Sequence, residues 1–184
     1  MKPFYKFIIF FLFVFSCKNT FSQGREIPNL SILLTDTVEV GDSCVLSYPF
    51  GLSFGSLILP EMRLACDSIY MFLKQNPSIR IAIIVHSDFR PLPMTNDTLT
   101  LRRASYLMQY ILEYGDIDSD RIIAVGMADR QPRIVTKEIH KQYKFLPVGQ
   151  VLSEEFCRTL ISNCQNYEKT MSLNRRTVVK IIEK

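Results

Sequence analysis

His86-Ser87-Asp88-Phe89-Arg90-Pro91-Leu92-Pro93-Met94-Thr95-Asn96-Asp97-Thr98-Leu99-Thr100-Leu101-Arg102-Arg103-Ala104 is the stretch on which the reading of this chain turns. It starts at the end of an apolar run, Ile81 to Val85. It then crosses a loop holding two prolines, Asp88 and Asn96. It ends inside an amphipathic segment that carries Arg102 and Arg103. An acid at a strand end and a base one helical turn into the next element can face a common pocket. Such a pocket suits a small zwitterion, because each charge meets its opposite.

Outward from this stretch the pattern alternates. Upstream, Cys44 to Tyr48 reads as a strand. Pro60-Glu61 then opens a helix to about Gln75, since proline at the first helical position loses no hydrogen bond and an acid there meets the positive helix end. Met62, Cys66, Ile69, Phe72 and Leu73 recur at a helical period. Asn76-Pro77 stops that helix, because the residue before proline avoids helical angles. Ile79 to Val85 is almost wholly apolar from Ile81, which predicts a central strand covered on both faces.

Downstream, Thr98 to Tyr114 predicts a second helix with Leu101, Ala104, Met108, Ile111 and Leu112 as its buried stripe. At 100° per residue Arg103 lies nearer the edge of that stripe than Arg102, so Arg103 can reach a site while Arg102 faces water. Gly115 ends the helix, and Arg121 to Val125 is a short strand before Gly126. Residues 127 to 172 read as a long loop carrying one short helix at Ser153-Glu154-Glu155-Phe156, a capped start. Asn174 to Ile182 is a last strand. Strands alternating with helices imply a sheet with helices packed on it.

The first residues form a targeting pattern. Lys2 and Lys6 precede nine unbroken apolar residues, Phe7 to Phe15, too few to span a bilayer but enough for a signal core. Two processing sites compete. Ser16-Cys17 is a loose lipoprotein box that would leave Cys17 lipidated on a leader of residues 1–16. Thr20-Phe21-Ser22 has small residues at both required positions and would end a signal peptide of residues 1–22. Either way the chain is exported. Residues 23–37 are then a linker, or an edge strand if Leu30 to Leu34 pairs.

Three of the 22 basic residues (Lys2, Lys6 and Lys18) lie in the acid-free leader. The remaining 19 face 18 acidic residues. A nearly neutral domain has no general electrostatic case for nucleic acid. Export permits disulfides. Beyond the leader are Cys44, Cys66, Cys157 and Cys164, whose three complete pairings the sequence does not separate. Cys157 and Cys164 form the bridge candidate; small buried thiols are the alternative. No Cys-x-x-Cys occurs, and His86 and His140 are the only histidines. Metal and cofactor chemistry therefore have no support here. His86 reads as a core residue of its strand. Neither Ser87 nor Asp88 is placed to complete a triad with it, because adjacent strand residues face opposite ways.

The chain resembles the OmpA-like peptidoglycan-binding domain of outer-membrane proteins, peptidoglycan-associated lipoproteins and MotB-type stator subunits. The resemblance rests on Leu59-Pro60-Glu61, Asn76-Pro77, His86-Ser87-Asp88, Asn96-x-x-Leu99-Thr100-x-x-Arg103-Ala104, Asp120-Arg121-Ile122, Gly126 with Gln131-Pro132, and Asn174-Arg175-Arg176. These hold their order and spacing across residues 38–184. Val148 to Phe156 is similar to an insertion found in one subset of the family, here about residues 133–172.

The resemblance implies an α+β fold: a two-layer βαβαββ sandwich, with a mixed sheet, helices on one face, and an inserted loop and helix before the last strand. It implies a non-enzymatic envelope protein that binds the diaminopimelate of the peptidoglycan stem peptide and tethers the wall to the outer membrane from its periplasmic side. Asp88 would pair with the ligand ammonium and Arg103 with its carboxylate. Asn96 would shape the loop, Ser87 stands where the family usually has threonine, and Arg175 or Arg176 would sit by the pocket. The sequence departs from the family at Val85, Pro91 and Ala128, each standing where the family usually has glycine, and Pro93 stiffens the loop. A domain that has lost wall binding and serves as an interaction module for other envelope proteins, in a motility or secretion machine, is the second expectation.

Overall fold

A computed structural model describes residues 25–27, 37–46, 60–90 and 95–184. The expected leader, Cys17, the Leu30–Leu34 run, Pro91 and Pro93 lie outside these residues. In chain order the strands are β1 (Glu26–Ile27), β2 (Ser43–Leu46), β3 (Arg80–His86), β4 (Ile122–Ala128) and β5 (Thr177–Glu183). The helices are α1 (Pro60–Gln75), α2 (Asn96–Leu112), α3 (Lys137–Gln142), α4 (Glu154–Thr159) and α5 (Cys164–Asn174). The strands form one mixed sheet in the order β1-β2-β5-β3-β4. β3 and β4 pair in parallel across the α2 crossover, and β5 enters antiparallel between β2 and β3. The expected α+β arrangement of a mixed sheet with helices is what the chain adopts.

One main core joins sheet and helices. Met62, Cys66, Ile69, Phe72 and Leu73 of α1 are all buried, against Ile81, Ile83 and Val85 of β3 and Val179 and Ile181 of β5. Every β3 residue from Ile81 to His86 is buried, as its apolar run leads one to expect. The motif arginine Arg121 has a structural task. Its guanidinium donates to the carbonyls of Leu73, Asn76 and Ile79, capping the end of α1 where backbone acceptors lack helical partners.

Two expectations need correction. The α2 stripe is turned: Thr100, Ala104, Leu107 and Ile111 form its buried face, while Leu101 is 49% exposed. Thr100 is buried without penalty because its hydroxyl donates to the Asn96 carbonyl and accepts from the Ala128 N–H. A polar residue thus occupies a core position and hides the true stripe from a hydrophobicity pattern.

The second correction concerns residues 127–172, which hold three helices rather than a loop with one. Thr136, Ser153 and Asn163 cap them through their side chains. Val135, Ile139, Leu146, Leu152, Cys157 and Met171 build a second core there. Cys157 and Cys164 are not bridged. Cys157 points into that second core and its thiol contacts the Leu152 carbonyl, whereas Cys164 begins α5 on the exposed side. Cys44 and Cys66 are likewise free and buried.

Candidate functional site

The ladder between β3 and β4 is irregular just before Asp88. The β3–β4 register shifts between Val85 and His86, so that His86 pairs with Ala128 and Met127 is the extra residue. Ala128 takes φ +49°, a left-handed conformation costly for a residue with a side chain. That is the position where the family resemblance expects glycine. Ser87 N–H then donates to the Ala128 carbonyl at 2.8 Å, which holds the turn-off point. The bulge thus lies on β4, beside the point where the chain leaves β3 for Asp88.

Asp88 is 6% exposed, and four donors converge on its carboxylate. The backbone N–H and Nε of Arg90 reach Oδ1 at 3.0 and 3.2 Å. Nη2 of Arg90 and Nη1 of Arg175 reach Oδ2 at 2.8 and 2.5 Å. Burial would raise the Asp88 pKa, but the Arg90 and Arg175 guanidiniums outweigh it and hold the carboxyl below its ordinary value. Arg90 reaches further, its Nη1 lying 2.5 Å from Glu168 on α5. Arg90 and Glu168 belong to the site, yet the sequence reading assigned neither a role.

Arg103 is half-buried on α2 and Arg102 is exposed. Burial and then the like charge of Arg175 lower the Arg103 pKa, so Arg103 shares the field of the guanidinium that pairs with Asp88. Asn96 works on the loop: its amide donates to the Asp88 and Arg90 carbonyls at 3.1 and 3.3 Å, while its buried Oδ1 has no partner among the described residues. Ser87 Oγ is also buried without a partner among the described residues.

The closing motif divides into three tasks. Asn174 accepts from the Arg133 N–H and donates to the Leu152 carbonyl, tying the insertion's two ends together. Arg175 goes to Asp88. Arg176 instead donates to the carbonyls of Gln131 and Asn174, and burial followed by the Arg133 charge pushes its pKa down to about 10. Arg175 therefore belongs to the Asp88 group and Arg176 supports the turn beneath it.

His86 lies in the interior, with burial first and then Arg176 and Arg133 pushing its pKa down to about 3. Its Nδ1 has no hydrogen-bond partner among the described residues, and it is a buried core residue.

Residues 54–144 match the OmpA family. The chain carries an OmpA-family domain. Domains of this family typically bind peptidoglycan in cell-envelope proteins. Among solved structures, a MotB-like protein from Desulfovibrio vulgaris superposes with a TM-score of 0.50 at 15% identity, covering 77% of this chain and 74% of its own. The cell wall anchor of the T6SS from Pseudomonas aeruginosa gives 0.46 at 18%, covering 72% and 73%. The OmpA-like domain of FopA1 from Francisella tularensis gives 0.43 at 15%, covering 78% and 83%. At such identities the first of these speaks for a shared fold. No curated protein sequence matches the chain. The OmpA-family match contains Asp88, Arg90, Asn96 and Arg103, while Glu168 and Arg175 lie beyond it.

Proposed function

We propose that this OmpA-family protein is a non-enzymatic envelope tether that grips peptidoglycan through the diaminopimelate of the stem peptide. The supporting observation is the charge arrangement at Asp88. One buried carboxylate pairs with the guanidiniums of Arg90 and Arg175, Arg103 lies in the field of Arg175, and Glu168 pairs with Arg90. The excess of positive charge calls for an anionic group on the ligand, and a guanidinium can hold a carboxylate through two parallel hydrogen bonds. Asp88 offers the complementary place for the ammonium. Asn96 and the Ala128 bulge hold that geometry on regular elements.

In this reading the leader exports the protein, and a lipid on Cys17 or release to the periplasm sets its location. Among the described residues no helix is long and apolar enough to cross a membrane. The 20 residues from Lys18 to Thr37 reach at most about 70 Å when extended, enough to lead from a membrane surface toward the wall. The test is co-sedimentation of the full chain with purified sacculi. Asp88→Ala and Arg103→Ala should each lower retention at least tenfold while remaining folded by circular dichroism. Undiminished retention of the folded double variant would overturn the reading.

A second reading has its own observation. The insertion exposes Ile134, Val148 and Val151, with Ile134 and Val151 paired in an isolated bridge. An envelope partner seated there would make the protein an interaction module. Co-purification that depends on these side chains, with no sacculus retention, would favour it.

A further inference from the structure

Asp88 has no acceptor capacity left for a ligand. A carboxylate offers about four lone-pair sites, and four donors already converge on this one: two on Oδ1 and two on Oδ2. Three of the four come from Arg90. Its Nε and Nη2 fork across both oxygens, the geometry in which a guanidinium holds a carboxylate best. An incoming ammonium on Asp88 must therefore displace a group already there.

Arg90 is also anchored from behind. Its third nitrogen, Nη1, lies 2.5 Å from Glu168 Oε1 on α5. The preceding residue, Phe89, packs into the second core, with the Arg158 guanidinium 5.3 Å from its ring centre. The insertion thus grips the Phe89–Arg90 segment at two points. Both grips come from residues outside the family match.

We infer that Arg90, held by Glu168, occupies the ammonium subsite of Asp88 as an internal competitor, so that these two residues set the site's affinity for amine-bearing ligands. This rests on the reading of Asp88 as the ammonium partner. Arg175 is the second donor on Oδ2 but is not the competitor, since Arg90 alone forks across both oxygens. Glu168 keeps Arg90 in register with Asp88, and the insertion thereby tunes a site that lies in the matched domain. A protein whose competent state is a tenth of the population binds tenfold more weakly than the intact site would.

The experiment is calorimetric titration of the full chain with two probes. One is the tripeptide L-Ala–γ-D-Glu–meso-diaminopimelate with its free side-chain amine; the other is the same tripeptide acetylated on that amine. Arg90→Ala should tighten binding of the free amine about tenfold. Glu168→Gln should tighten it by a smaller factor, about two- to threefold, because the Glu168 side chain is half in water. The acetylated tripeptide should show no gain in either variant. Thermal unfolding confirms that both variants are folded, and Arg90→Lys, which keeps charge but cannot fork, should fall between wild type and Arg90→Ala.

Unchanged or weaker binding of the free amine by folded Arg90→Ala, with wild type binding measurably, overturns the inference and leaves the peptidoglycan reading standing. An equal gain for the acetylated probe also overturns it, because Arg90 would then act by bulk alone. Failure of wild type, Arg90→Ala and Glu168→Gln alike to bind either probe overturns the peptidoglycan reading and the inference with it.

Discussion

Gly126 lies inside β4 with α2 directly against it. A Cβ built there would stand 2.5 Å from the Leu101 backbone nitrogen and 2.9 Å from its Cα. Carbon contacts become favourable only near about 3.5 Å, so Gly126→Ala must drive α2 back by roughly 1 Å. The opposing atoms are helix backbone, and no side-chain rotation relieves them. Overpacking of this kind costs about 1–3 kcal/mol, and the rigid neighbour puts this case near the top of that range. For a chain of this size about 3 kcal/mol lowers the melting temperature by roughly 6–12 °C. Gly115→Ala is the control. Gly115 has φ +87° but nothing within 4 Å of its added Cβ, so it carries only backbone strain of about 1 kcal/mol. Urea unfolding of both variants separates close approach from strain. Because Leu101 is two residues from Arg103, the same displacement should also weaken sacculus retention. A Gly126→Ala loss below about 1 kcal/mol, or equal losses for both glycines, would refute the argument from close approach.

Two further outcomes follow from the β3–β4 end. His86 is neutral in the fold, with its pKa pushed from 6.5 down to about 3, while in the unfolded chain it takes a proton below its ordinary value. The unfolded state thus binds more protons between these values, and stability falls as pH drops from 6.5 toward 3. The slope is about 1.4 kcal/mol per pH unit, or about 2 kcal/mol by pH 5. Urea midpoints measured from pH 7 to 4.5 should show this slope in the wild type and lose it in His86→Gln; a flat wild-type profile would contradict it. Ala128→Gly relieves the +49° backbone, offset in part by glycine's greater freedom when unfolded. The net should be a gain of up to about 1 kcal/mol; a loss in thermal unfolding would sink the strain assignment.

The readable parts of this chain were those whose signal is local. The α1 stripe, the apolar β3 run and the Ser153 cap each express a period or a spacing within one segment. Where a polar residue took a core position the pattern misled, as at Thr100, whose hydroxyl is satisfied only by Asn96 and by Ala128 on another strand. Two of the insertion's three helices escape the sequence pattern because they are short or, in α5, largely polar, and its second core is assembled from single apolar residues far apart in sequence. The motif Asn174-Arg175-Arg176 was visible, but adjacent arginines look alike until a fold sends one to Asp88 and the other to the Gln131 carbonyl.

Sequence alone carried the alternation of elements, because hydrophobic periods and turn chemistry act between near neighbours; the roles expected of Asp88 and Arg103 came with the resemblance to the OmpA-like motif. Tertiary structure alone decided what surrounds Asp88. Arg175 comes from 87 residues away, and Glu168 meets Arg90 across 78. Charge pairing over such separations depends on where the sheet and the insertion bring the chain back together, which no local pattern encodes.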